Sequence, residues 1–580
     1  MFADDLVLWI TGSDTHKMQL KLNTALSNLT TYCELWKLKI NCRKTVYTIF
    51  TLSNTTAKVL MNLKIQNQQI SKDDNPCYLG IRLDPRLTLK THIIDVSAKV
   101  TKRLNLLKRL ASTNWGSNKN TLRQLYTGYI RAIFDYSAPL QVTASQHNQK
   151  KLDCKQNEAL RFVCGALRST PASACEVDAN VEPLRIRRER SAALTLERFK
   201  RMGEDNPCKR MTSQLRQRNR IQKTSFLKKS GQLAKDMMFP ESRETTEPIP
   251  KISPNTKWQL PKISKELSQK ADKSTPTNIL KTIANETIDR IPPEAIRAYT
   301  DGSATNATRN GGYGSFISIP QLQEPISIYG PCGRYCNNYD AEVIAIKKTM
   351  DKIDQELEVA NIIPKDLFIL TDSQSALDAI ESYKDESSKQ IEDLLQICNN
   401  TSLKYGINIT LQWIPGHCGI YGNEKADALA KLGSNMAQKD ETVSYSTAKS
   451  LAKEYSKSSW RNSWIQNDKG RALFKHQPAP NPKDAINLLD RKHQCNIFRL
   501  RTEHALLNMH RNRLDPLAPP QCRHCNHPYE TVEHHLLYCG QLKELRKKFL
   551  PQNPTISNCL YGNRDQLTKT SLYHASALRV

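Results

Sequence analysis

Four acidic residues limit what this chain can fold into more than any other feature: Asp301, Glu342, Asp372 and Asp427 each fall at a predicted strand end or helix start. "IRAYTDGSA" reads as a strand that ends at Asp301-Gly302. "GGYGSFISI" (311–319) and "PISIYG" (325–330) read as two further strands of an antiparallel meander. "NNYDAEVIAIKKTMDKI" (337–353) has helical spacing, with Val343, Ile346 and Met350 on one side and Glu342 near its start. "DLFILTDSQSALDAI" (366–380) is a buried strand, Leu367 to Leu370, that ends at Asp372 and passes into a helix. "ITLQWIPGHCGIYGNEKADALAKL" (409–432) is a strand, a glycine-rich loop and a helix. Asn423 is expected to cap that helix, and Asp427 to lie in its first turn.

This order predicts an α/β fold, a mixed sheet with flanking helices, that collects all four acids at one sheet end. Clustered carboxylates cannot all stay ionised unaided, and divalent cations relieve the repulsion. An all-oxygen set suits Mg²⁺ or Mn²⁺. Two such ions, roughly 4 Å apart, suit phosphodiester chemistry, one activating the attacking water and the other steadying the leaving oxygen. His417, in the loop with Gly416, Gly419 and Gly422, is placed to move protons or to help product leave. Singly, each residue has an ordinary explanation: an Asp before Gly makes a turn, an Asp before a helix caps it. The ordered set is what points to a site.

"YTDGS", "AE", "TDSQSAL" and "GHCGIYGNEKADALA", in that order and spacing, resemble a type 1 ribonuclease H domain over about 296–436. The resemblance implies that Asp301, Glu342, Asp372 and Asp427 are the metal-binding catalytic set. Asp301 would bridge both ions, with Asp427 on the nucleophile side and Glu342 and Asp372 on the other. His417 matches the family's mobile-loop histidine, while Asn338 and Gln374 fall where the family contacts RNA 2′-hydroxyls, the groups that distinguish RNA from DNA; Asn423 matches the family's loop asparagine and is counted with them among the expected substrate contacts. Tyr339 departs from the pattern, standing where many relatives carry a second polar residue, and the long basic excursion that some relatives insert after the second helix is absent. The implied reaction is cleavage of the RNA strand of an RNA/DNA hybrid, leaving 5′-phosphate and 3′-hydroxyl ends. A DDE transposase also clusters acids on this fold, but would not carry "GHCGIYGNEKADALA".

The rest of the chain fits a nucleic-acid partner. Lys and Arg total 85 against 57 Asp and Glu, a net charge of +28, which suggests a polyanionic ligand. Residues 185–235 hold 16 Lys/Arg and 4 Asp/Glu, so +12 of that charge sits in a segment suited to phosphate binding or nuclear targeting. The chain shows no apolar run long enough to span a bilayer and no secretory signal, and its 16 cysteines are scattered, which fits reduced thiols in nucleus or cytoplasm. Eight prolines between 240 and 293 read as a linker. The expected division is therefore 1–200, a basic and Pro-rich linker at 201–293, an α/β domain at 294–438, and a helical C-terminal region at 439–580.

"FADD", with Asp4 and Asp5 before the apolar run Leu6 to Ile10, resembles the second metal-binding motif of reverse transcriptases. With "KINCRKTVYTIF" (39–50), "CYLGIRLDPRLTLKTHI" (77–93) and "LRQLYTGYIRAIFDYSAPL" (122–140), residues 1–200 look like the end of the palm and a mostly helical thumb of a jockey- or I-type non-LTR retrotransposon polymerase. The first catalytic Asp motif is missing, so the start is expected to be a polymerase remnant of a truncated copy without synthesis of its own. At 522–539, "CRHCNHPYETVEHHLLYC" offers Cys522, Cys525 and Cys539 with one of several histidines, a closed tetrahedral Zn²⁺ set. His524, His527 and His535 compete with His534, and resemblance to the Cys/His motif these elements carry after the ribonuclease domain favours His534. The whole implies a ribonuclease H-like domain between a polymerase thumb remnant and a small zinc-binding tail, using two Mg²⁺ (or Mn²⁺) ions and a structural Zn²⁺. Its expected partners are RNA/DNA hybrid, other nucleic acid and a full-length element protein, with no membrane. Two alternatives are an RNA-directed DNA polymerase by ancestry and a binding remnant whose catalysis has decayed.

Overall fold

The computed structural model of the chain describes residues 5–213, 225–245, 259–271, 275–383 and 389–579. They belong to two compact units: residues 1–192, 223–226 and 456–580 form one, and residues 193–222 and 227–455 the other.

The second unit contains β1 (Lys262–Ser264), α1 (Thr277–Asp289), β2 (Ile296–Thr305), β3 (Arg309–Ser318), β4 (Ile326–Gly333), α2 (Asn338–Ala360), β5 (Asp366–Thr371), α3 (Gln374–Glu381), α4 (Lys389–Tyr405), β6 (Asn408–Trp413) and α5 (Tyr421–Asn435). The strands form one mixed sheet in the order β4-β3-β2-β5-β6-β1. β2, β3 and β4 are the antiparallel meander, and β5 runs parallel to both β2 and β6. β5 shows why the central strand reads as a continuous apolar run. Leu367 and Ile369 face a core with Val343, Ile346 and Met350 of α2 and Leu394 of α4. Leu370, with Phe368 packed against it, faces a second core with Ala284 and Ile288 of α1. Side chains alternate across a strand, and a sheet covered on both faces needs apolar residues at every position.

Local chemistry sets the helix starts. Asn337 caps α2, its side chain accepting from the Asp340 amide at 2.7 Å, and Ser373 caps α3. α5 differs from expectation. It begins at Tyr421 after Ile420, without a side-chain cap, so Asn423 lies inside the first turn and Asp427 one turn further on. Asn423 leaves the capping position because its side chain is taken up by Asp372.

Glycines let α5 lie against the meander. A Cβ at Gly312 would stand 2.1 Å from the Ser434 nitrogen, and one at Gly314 would stand 2.3 Å from both the Ala426 carbonyl oxygen and the Ala430 nitrogen. "GGYG" is thus a surface for close helix approach.

The segment expected to be a linker also supplies structure here. β1 pairs with β6, and α1 buries Ile283, Ala284 and Ile288. Three apolar residues at helical spacing suffice to dock a helix that the surrounding Pro, Lys and Ser obscure in the composition. Residues 246–258 lie outside the described residues.

In the first unit, helices Lys90–Leu110, Gln146–Cys164, Arg491–Arg501 and Arg564–Ala577 contribute to one apolar core. The C-terminal segment from 456 onward thus folds with the N-terminal 192 residues, where the sequence divides them. Buried Arg491 donates to the Val163 carbonyl, 328 positions away, at 2.6 Å. Contacts at that separation leave no local pattern. "CYLGIRLD" is a hairpin of two short strands, Cys77–Tyr78 and Ile81–Arg82, and not a single strand. Leu79 and Gly80 both take positive φ at its turn.

Gly314→Ala should lower the stability of the sheet unit by about 3 kcal/mol, because backbone, not a movable side chain, fills the space a Cβ needs. Chemical denaturation followed by circular dichroism measures it; a loss below about 1 kcal/mol would contradict this account of helix packing.

Candidate metal centre

The acids meet where β2, β5 and α2 converge. Asp301 is on β2, Glu342 is in the first turn and a half of α2, and Asp372 directly follows β5. Gly302 allows the approach: a Cβ there would stand 2.2 Å from the Glu342 nitrogen. Ligand-capable oxygens of Asp301, Glu342 and Asp372 all lie within 4.8 Å of one another. Asp301 and Glu342 are buried, at 8% and 9% exposure, and Asp372 is half-buried. Gly416 closes over Asp372, since a Cβ there would stand 2.3 Å from Oδ2.

The electrostatics follow from crowding and burial. Burial, then the neighbouring Asp372 and Asp427 charges, pushes Asp301 up to about 7. Glu342 is held well above the usual carboxylate range by burial and then by Asp301 and Asp372, a cost that a backbone hydrogen bond at Gly302 only partly offsets. Burial raises Asp372 as well, opposed by its hydrogen bond from Asn423 and by His417. The Glu342 Oε2 atom is buried without a hydrogen-bond partner. Three crowded carboxylates with an orphaned oxygen are a donor set that fits a hard divalent cation.

Asp427 stands apart from this trio. It is half-buried one turn along α5, and Lys431 donates to its Oδ2 at 2.5 Å. Its charge is still felt by all three acids. The Lys431 contact is an i,i+4 pair, legible in "DALAK" but not singled out in the sequence. His417 is exposed at the loop tip, with φ of 53°, in the left-handed region. Asn338 and Gln374 are exposed first residues of α2 and α3. Asn423 is only 2% exposed, so it is inside the protein and not on a surface that a nucleic acid would meet. Asp340, which the sequence did not mark, is buried at the start of α2. It accepts from Ser444 and from Thr447, the latter at 2.6 Å, and so ties the start of helix Tyr445–Gln466 to the helix that carries Glu342. The sequence separation of 104 and 107 positions hid this partnership.

A second group lies in the first unit. Cys522, Cys525, His534 and Cys539 bring four ligand atoms within 4.8 Å of one another. The Cys522 and Cys539 sulfurs are 3.9 Å apart, and Cys525 Sγ is 3.3 Å from His534 Nε2. Tetrahedral zinc with bonds near 2.3 Å separates its sulfurs by about 3.8 Å, so the set fits Zn²⁺. The structure separates the competing histidines. His535 is buried against His574, with 3.0 Å between ring nitrogens, while His527 stacks on His534 with ring centroids 4.2 Å apart. Asp4 lies outside the described residues. Asp5 is exposed, and Leu6, Val7, Leu8 and Trp9 after it are exposed and outside regular structure.

Among the described residues no helix is long and apolar enough to cross a membrane.

The sheet order and the crowded acid trio define a ribonuclease H-like α/β domain. The family model for RNase H matches residues 293–435. Ribonuclease H of Francisella tularensis subsp. novicida is 31% identical over 144 residues, covering 23% of this chain and 86% of that protein. The chain belongs, through this segment, to the ribonuclease H family. It is also similar to two transposon proteins. The probable RNA-directed DNA polymerase from transposon BS of Drosophila melanogaster is 26% identical over 162 residues, 28% of this chain. The retrovirus-related Pol polyprotein from type-1 retrotransposable element R1 4 of Nasonia vitripennis is 24% identical over 220 residues, 35% of this chain. The chain spans 18% and 55% of the lengths of these two proteins. Among solved structures, RNase H1 of Halobacterium salinarum matches 25% of this chain and 99% of its own at 16% identity, with a TM-score of 0.20.

The raised acids predict how stability depends on pH. Between the ordinary value of 3.8 and about 7, folded Asp301 keeps a proton that the unfolded chain has lost. Metal-free protein is therefore most stable below that window and loses stability as pH rises through it, on the order of 4 kcal/mol. Thermal melts in EDTA from pH 4 to 8 should show the decline, Mg²⁺ should reverse it, and Asp301→Asn should flatten it. A metal-free protein that gains stability across the same range would contradict the charge crowding.

Proposed function

We propose that residues 293–435 hydrolyse the RNA strand of RNA/DNA hybrids with the help of divalent cations, as the ribonuclease H part of a retrotransposon protein. The observation that carries this reading is the trio of Asp301, Glu342 and Asp372, two buried and one half-buried, gathered within 4.8 Å of one another and held toward protonation. A buried like-charge cluster destabilises a fold unless a cation uses it.

Asp301, Glu342 and Asp372 would hold Mg²⁺ or Mn²⁺, with Asp427 completing a two-ion set once it leaves Lys431. Bound there, the ions supply a polarised water and charge stabilisation for the leaving oxygen. The protein's own groups do the rest. Burial keeps the dielectric low around the acids, so the field on the scissile phosphate is strong. Exposed Asn338 and Gln374, at the starts of α2 and α3, offer side-chain amides to RNA 2′-hydroxyls. His417, held at an exposed loop tip, can pass a proton between the site and solvent. Cys522, Cys525, His534 and Cys539 would hold a structural Zn²⁺, a closed set without an open position for substrate. The net charge of +28 favours a polyanionic ligand. Nucleic acids other than the hybrid, and a full-length protein of the same element, are further partners in this reading.

The full chain should cut end-labelled RNA annealed to DNA in Mg²⁺, leave the same RNA alone when single-stranded, and lose at least about a thousandfold in rate in Asp372→Asn. Full activity in that variant would refute the assignment. Purified protein should also carry one equivalent of zinc by elemental analysis. Cys539→Ser should lose it and melt earlier; zinc-free wild type with an unchanged melt would remove the tail site.

A further inference from the structure

The sequence places Asn423 among substrate contacts, but the structure gives it different surroundings. Its side chain is 98% removed from solvent, at 2% exposure, inside the first turn of α5. Nδ2 donates to Asp372 Oδ2 at 3.5 Å. The other end of the same amide, Oδ1, is buried and has no hydrogen-bond partner. A buried amide oxygen without a donor is destabilising, so a protein that keeps one there has a use for it. Glu342 Oε2, in the same cluster of acids, is orphaned in the same way. Both unpartnered acceptors belong to side chains of this cluster: Glu342 is one of the three acids, and Asn423 holds Asp372, another.

We propose that Asn423 is a positioning residue for the cation site, resting on the metal-dependent reading above. Nδ2 orients the Asp372 carboxylate, and Oδ1 accepts a hydrogen bond from a water on the cation side of the cluster. A neutral amide suits both jobs. It donates to a carboxylate and accepts from a hydrated ion without adding a fourth charge to three crowded acids. An aspartate in its place would repel Asp372 in the metal-free protein and attract the cation. An alanine would leave Asp372 without its donor, and the water without its acceptor. RNA has no route to a side chain this buried, so the residue acts through Asp372 and not on substrate.

The test uses the zinc-loaded full chain with Mn²⁺ alone as the probe, read by electron paramagnetic resonance of free Mn²⁺, beside hybrid cleavage at saturating metal. Asn423→Ala should raise the Mn²⁺ dissociation constant about tenfold or more and leave the KM for hybrid unchanged. Asn423→Asp should bind Mn²⁺ at least as tightly as wild type while melting earlier when no Mn²⁺ or Mg²⁺ is added. Circular dichroism confirms that each variant is folded, and the Asp variant keeps the test open if the Ala variant does not fold. Unchanged Mn²⁺ affinity in folded Asn423→Ala overturns the proposal, as does Asn423→Asp weakening Mn²⁺ as much as Ala does. Absence of Mn²⁺ binding in wild type refutes instead the metal-dependent reading on which it rests.

Discussion

Three carboxylates that repel one another are crowded together, two of them buried and the third half-buried, and much of the sheet unit is arranged to make that possible. Asp301 on β2, Glu342 on α2 and Asp372 after β5 converge only because Gly302 lets α2 touch β2 and Gly416 lets the following loop close over Asp372. The core beneath them, with Leu367 and Ile369 of β5 against Val343, Ile346 and Met350 of α2, supplies the apolar burial that offsets this repulsion. Asp340, fixed by Ser444 and Thr447, anchors the start of the helix that carries Glu342. Stability is thus spent near the sheet centre to create a strong negative potential, a common division between scaffold and site.

The acids' convergence was legible because each sits at a switch between periodicities. Strand alternation ends at Asp301 and Asp372, and helical spacing begins around Glu342 and Asp427. What stayed hidden involved partners distant in sequence or side chains whose direction the pattern does not carry. Asn423 has the composition of a helix cap, yet α5 starts two residues earlier and turns the amide inward to Asp372. Asp427 is in the right element but is drawn to Lys431, one turn on, so it stands off from the trio. Only three-dimensional placement shows that these two neighbours on one helix have opposite surroundings, one sealed and one half-open.

Spacing alone found Cys522, Cys525 and Cys539 of the zinc motif, but four histidines competed for the last place. In three dimensions His534 is grouped with the three cysteines, beside Cys525, while His535 is held against His574 in the core. Composition misled in the opposite sense at 277–289. Proline and lysine around it suggested a linker, while Ile283, Ala284 and Ile288 dock the helix on the sheet. The join between the C-terminal segment and the N-terminal helices, as in Arg491 with Val163, is carried by contacts too far apart for any local pattern to record.

The most direct test of the central claim is the proton balance of cation binding. Calorimetric titration of Mg²⁺ into the full chain at about pH 6, in buffers of different ionisation enthalpy, counts protons released per ion. Asp301, held up to about 7, is mostly protonated there and must lose its proton to bind a cation. The account predicts release of about one proton or more, falling toward zero above pH 8. Binding at pH 6 with no proton release would mean that the three acids are already ionised, and that the crowding described here does not govern the site.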